Sequence, residues 1–131
     1  MTAYARLKSR LDQGNIIILD GATGTELQRR GAPMDPAAWC GPATLENDHI
    51  LTAIHRDYIE VGSDVVTANT FAASKIMLKA AGLADRSDEI VTRAVEAALK
   101  ARALTGKADI VVAGSLSHMV PVAEGTAKVD P

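Results

Sequence analysis

NIIILDGATGT, residues 15–25, opens on an aliphatic run from Ile16 to Leu19 and closes on an acid followed by glycines and threonines. An unbroken apolar run of this length, bounded by Gly14 and Gly21, suits a parallel strand buried on both faces. Gly21 and Gly24 allow tight turns, and the chain continues into a short helical TELQRR (25–30) that stops at Gly31. A strand, a tight turn and a helix in direct succession make the first half of a βαβ unit.

Working outward, the same succession repeats. Tyr4 to Leu11 forms a short amphipathic segment before the first strand. After it, APMDPAAWCGPA (32–43) reads as a long irregular loop, because its prolines break both helix and ladder. A helix follows, capped by Thr44 or Asn47, with Glu46 and Asp48 at its positive end and Ile50, Ile54, Tyr58 and Val61 along one stripe. Gly62 ends it, and Asp64 to Ala68 forms a second strand. Residues 73–81 make a short helix ended by Gly82, and Ser87 caps a long alanine-rich helix through Leu104, stopped at Gly106. Asp109 to Ala113 is a third strand, running into Gly114-Ser115. Crossovers this long cannot be hairpins, so the strands are parallel and the connections right-handed. A doubly wound sheet and a (β/α)-barrel both satisfy that order.

Composition agrees with a folded α/β chain. The 131 residues are 47% hydrophobic and 23% charged, which argues against a disordered tail. With 14 basic against 16 acidic side chains there is no basic footprint for nucleic acid or an anionic membrane. No apolar run approaches the roughly 18 residues of a spanning helix, and the N-terminus lacks a signal-peptide stretch. A cytoplasmic chain is the expectation. Cys40 stands alone, so it can form neither an internal disulfide nor a cysteine-rich zinc site.

In parallel α/β architectures ligands sit beyond the carboxyl ends of the strands. Three segments lie there: Asp20 to Thr25, Asn69-Thr70-Phe71, and Gly114 to Ser117. The first has no P-loop lysine and does not spell a dinucleotide fingerprint. What it offers is a carboxylate, Asp20, beside glycines that let backbone N–H groups approach a ligand; that pairing can hold the two charged ends of an amino acid. Asp20 and Thr25 can equally cap the helical turn that follows, and the residues leave both readings open. Cys40 reads as a small packed side chain rather than a nucleophile. His49 and His55 lie on different sides of a helix and cannot chelate together, while His55 and Tyr58 at i and i+3 read as a packing pair. His118 follows a strand tip and reads as a surface loop residue.

Four blocks carry a resemblance: ILDGATGTELQRRG (18–31), Trp39 in its proline-rich loop, HRDYIEVGSDVVTANTFAAS (55–74) and VVAGSLS (111–117). Together they resemble the homocysteine S-methyltransferase family, whose members use betaine, S-methylmethionine or folate donors. The resemblance implies a zinc-dependent (β/α)8 TIM barrel in which the metal lowers the homocysteine thiol pKa and the thiolate takes a methyl group, giving methionine. It implies that Asp20 and Gly21, with Thr23 beyond them, form the homocysteine-binding turn, with Asp20 near the amino group. Asn69 and Thr70 match the second strand's tip, and Trp39 a tryptophan near the active-site mouth. Ala72 stands where some betaine-type members carry tyrosine, which argues against a betaine donor pocket. The family's zinc ligands are cysteines of later segments, none matched by Cys40, so no metal ligand and no catalytic group is expected in this chain.

A (β/α)8 barrel takes about 250 residues. Residues 1–131 are therefore expected to be a partial homocysteine-binding barrel domain of about three βα units, truncated at its C-terminus and inactive alone. Two other readings compete: a non-catalytic α/β module that self-associates or completes its fold with a partner chain, and an unrelated α/β enzyme binding an anion at Gly21–Thr25.

Overall fold

The computed structural model describes residues 1–117, an α/β arrangement in which helices cover one face of a short parallel sheet. Helix α1 (Ala3–Asp12) starts at Thr2, whose hydroxyl accepts the Ala5 N–H at 3.1 Å. None of its residues is fully buried. It lies instead across the amino ends of the strands, where Arg10 pairs with Asp64 and Arg6 with Asp109, each at 2.6 Å.

Strands β1 (Val65–Thr67) and β2 (Val111–Ala113) pair in parallel, Val65 opposite Val111 and Thr67 opposite Ala113. The strand expected over residues 15–20 runs along the other edge of β1, but its ladder contracts to one bridge, Leu19 to Val65. Asp20 N–H donates to the Val65 carbonyl at 3.0 Å and Val65 N–H to that of Ile18 at 3.2 Å. The Asp64 carboxylate takes the Ile18 N–H at 2.8 Å, so a side chain replaces the next rung. Burial on both faces does not hold either: Ile16 is 81% and Leu19 66% exposed, because no layer among the described residues covers that edge.

The helices are α2 (Gly24–Arg29), α3 (Thr44–Glu60), α4 (Lys75–Ala80) and α5 (Ser87–Thr105), with a single 3-10 turn at Ala84–Arg86. Val66 is fully buried between Ile59 of α3 and Ala98 and Ala101 of α5, and Ile110 closes the same cluster. Alanines at 94, 97, 98 and 101, all buried, let α5 lie close against its neighbours. A second cluster joins Leu27 of α2 to Leu51 and Ile54 of α3 and Met77 of α4. Each such aliphatic side chain, fully removed from water, contributes about 2 kcal/mol.

Neither α3 nor α5 carries its expected side-chain cap. Helix α3 begins at Thr44 after Ala43 without a side-chain cap, and Asn47 is a kink inside the helix (φ −123°, ψ 28°). Ser87 is the first residue of α5, and its hydroxyl donates to the Ala73 carbonyl at 3.0 Å, tying α5 to the segment before α4. Gly106 stops α5 in the left-handed region (φ 67°), as its position after the helix requires.

Candidate functional site

The ends of all three parallel segments converge on one cleft of about 300 Å³, lined by Asp20, Gly21, Thr23, Trp39, Asn69 and Ser115 among others. The geometry is built from the sheet outward. Asp20 ends the first segment half-buried, and Thr67 of β1 holds its carboxylate twice, through its N–H at 2.7 Å and its hydroxyl at 3.0 Å. Loss of solvent pushes the Asp20 carboxyl above its ordinary range, and the Thr67 hydrogen bonds act against that rise. The result is a fixed acid at the sheet's tip, with no basic partner in its hydrogen bonds.

Beyond it the chain turns through Gly21 and Ala22 to α2. The N–H groups of Gly21, Ala22 and Thr23 meet no acceptor among the described residues, so the turn presents free donors beside Asp20. Thr23 caps nothing through its side chain. A Cβ at Gly24 would stand 2.6 Å from the Trp39 ring and 2.9 Å from the Cys40 sulfur, so only glycine lets the ring pack this closely against the turn.

Trp39 is held by a more regular loop than its prolines imply. Asp35 and Trp39 exchange backbone hydrogen bonds at 2.8 and 2.9 Å, and the Asp35 carboxylate accepts the N–H groups of Ala37 at 2.8 Å and Ala38 at 2.7 Å. Trp39 itself adopts a left-handed backbone (φ 50°). That conformation is uncommon for a bulky residue and here turns the ring toward the cleft.

Asn69 lies at the cleft's floor, but its amide serves the chain. Both amide hydrogens are donated, to the Cys40 carbonyl at 2.9 Å and the Thr44 hydroxyl at 3.1 Å, and its oxygen accepts the Cys40 thiol at 3.4 Å. Thr70 does not line this cleft. Its hydroxyl donates to the Ser115 carbonyl and accepts the Ser115 N–H, both at 2.8 Å, locking the tip of β1 to that of β2. Thr67 is not among the candidates from sequence; its signal is a polar residue near the end of the apolar run VVTA (65–68). Tyr58 carried no such signal. Its hydroxyl crosses from α3 to the Ala22 carbonyl at 2.8 Å, which no local pattern foretells.

Among the described residues no group of three or more His, Cys, Asp or Glu side chains could hold a metal ion. Cys40 is buried, and desolvation pushes its thiol up to about 11, so it is a neutral hydrogen-bond donor rather than a thiolate ligand. His49 is exposed and His55 is fully buried, so they do not approach one ion. His118 lies outside the described residues.

A half-buried carboxylate, free backbone donors and an aromatic wall at the carboxyl ends of parallel strands make this cleft a candidate small-molecule site of the α/β class. The family of this chain is set by comparison: residues 17–127 match that of homocysteine S-methyltransferase, and the chain belongs to it. The homocysteine S-methyltransferase of Escherichia coli (strain K12) is 32% identical over 97 residues, covering 73% of this chain and 31% of that protein. A selenocysteine methyltransferase of Astragalus bisulcatus is 35% identical over 92 residues, 70% of this chain and 27% of its own. The homocysteine methyltransferase MmuM from Escherichia coli, solved in its metallated form, superimposes with a TM-score of 0.73 at 32% identity. It covers 85% of this chain and 41% of that one. The chain therefore spans about a third of the length of the curated relatives it matches, as with homocysteine S-methyltransferase 2 of Zea mays (33%).

Proposed function

We propose that residues 1–131 form the N-terminal, homocysteine-binding portion of a (β/α)8 barrel, about three βα units of it, in a homocysteine S-methyltransferase. One observation carries the reading: the three parallel segments end around a single cleft that pairs a fixed carboxylate with free backbone N–H groups. Asp20 would take the substrate's ammonium group. The Gly21–Thr23 amides would take its carboxylate, and Trp39 would close the apolar side. Asn69 and Thr70 would act behind this wall, as the hydrogen bonds that hold the strand tips in place.

The reaction forms a bond from the homocysteine sulfur to a methyl carbon and breaks that carbon's bond to a donor such as S-methylmethionine, leaving methionine. The described residues do not fit the zinc that the family resemblance implies, so no activation step is assigned to them. What they contribute is binding and orientation. The TIM-barrel relationship draws support from the superposition on MmuM, whose metallated form also supports a metal in the complete protein.

Titration of L-homocysteine into the isotopically labelled chain, followed at the amides of residues 20–24, tests the reading. Saturable shifts there are expected, and Asp20→Asn should weaken binding by at least tenfold, since it removes one charge-assisted contact. Equal affinity in wild type and Asp20→Asn would sink the assignment of Asp20.

A further inference from the structure

We infer that Tyr58 is a positioning residue for the Asp20–Gly21–Ala22 turn, fixing the direction of its free N–H groups from the far side of the site. The inference rests on the amino-acid-binding reading above but concerns a residue that touches no proposed ligand.

The turn is pinned at two points. At its start, Asp20 is locked to β1 by the two Thr67 hydrogen bonds. At its end, the only side chain among the described residues that hydrogen-bonds the backbone is Tyr58, whose hydroxyl donates to the Ala22 carbonyl at 2.8 Å. A peptide plane is rigid, so holding the Ala22 carbonyl fixes the N–H of Thr23 pointing the opposite way. Without that bond the Ala22–Thr23 plane has no hydrogen bond of its own among the described residues; the next plane along is held by the Thr23 carbonyl, which accepts the Leu27 N–H at 2.9 Å.

The ring is well placed to act as a strut. It packs between the two core clusters that join α3 to α2 and to the sheet, so its position is set by the core. Its contact with the turn is close: a Cβ at Gly21 would stand 2.8 Å from the Tyr58 hydroxyl oxygen and 3.1 Å from the ring. Only glycine leaves room there for the hydroxyl to reach Ala22. Burial and the negative charges of Glu26 and Asp20 hold the phenol above its ordinary pKa, so it remains a donor. Gly21 and Tyr58 are thus one device, a bare backbone and the group that presses on it.

The test uses the 131-residue chain, isotopically labelled, with L-homocysteine as the probe and Ile54→Val as a control for lost core packing. Tyr58→Phe removes one oxygen and keeps the ring. It should move the amide signals of Gly21, Ala22 and Thr23 in the free protein and weaken homocysteine binding about fivefold, the worth of one hydrogen bond. Ile54→Val should lower the melting temperature without moving those signals. Gly21→Ala should displace the same amides, and its effect should shrink in the Tyr58→Phe background because the closest clash is gone. Unmoved turn amides in Tyr58→Phe, with homocysteine binding as in wild type, would overturn the positioning role. Moved amides in a chain whose wild type ignores homocysteine would keep that role and overturn the ligand assignment instead.

Discussion

His55 shows how much a single buried side chain can set. It is fully buried on α3, and neither ring nitrogen has a hydrogen-bond partner among the described residues. Burial lowers its pKa from 6.5 to about 4. Between those values the unfolded chain takes up a proton that the folded chain refuses. Stability is therefore complete above pH 6.5 and falls as the pH drops toward 4, by about 3 kcal/mol in all. Urea titrations at pH 7.5 and 4.5 should show that loss, and His55→Leu, similar in volume, should remove this part of the slope. A slope identical in both proteins would mean that the ring is solvated in the fold. Asp20 titrates in the opposite sense. Its raised pKa means that acidification should weaken homocysteine binding earlier than an ordinary aspartate would, measurable as affinity against pH.

At the scale of elements, the loop between α2 and α3 is tightly held, by the Asp35 carboxylate and by close packing at Gly41. Gly41 is buried, and a Cβ there would overlap the carbonyl oxygen of Ala72, a backbone atom that cannot swing aside. Gly41→Ala should cost about 1–3 kcal/mol in urea denaturation, the range for overpacking, and should disturb Trp39 fluorescence as the loop lifts. An unaltered midpoint would show that loop and strand tip can separate freely. At the opposite, amino end of the sheet, Asp64 carries the join between α1 and the first parallel segment, accepting from both Arg10 and the Ile18 N–H. Asp64→Ala should release Ile18, so its amide should exchange with solvent faster while the amides of α3 and α5 keep their protection.

Over the whole molecule, the described residues leave one sheet edge open. Ile16, Ile18 and Leu19 are 81%, 50% and 66% exposed along it, a row of apolar side chains beside unpaired backbone groups. Such an edge favours pairing with another strand. The 131-residue chain is expected to sediment as more than a monomer, and Ile16→Lys with Leu19→Lys should shift it toward one. A monodisperse wild-type monomer would show that the edge is covered.

What the amino-acid sequence determined by itself was the order of elements and which segments meet at the candidate cleft. Apolar runs, glycine stops and crossover lengths are local signals, and they identify parallel strands whose ends matter; the blocks around Asp20, Asn69 and Ser115 were legible for that reason. Division of labour among those residues was not legible, because it depends on which groups meet across the fold. Thr67 locks Asp20, Asn69 ties down Cys40 and Thr44, Thr70 faces Ser115, and Tyr58 reaches back from α3 to Ala22. The first strand was misjudged for a related reason. Its composition suits burial on both faces, but burial is a property of neighbours, and the described structure supplies them on one side only.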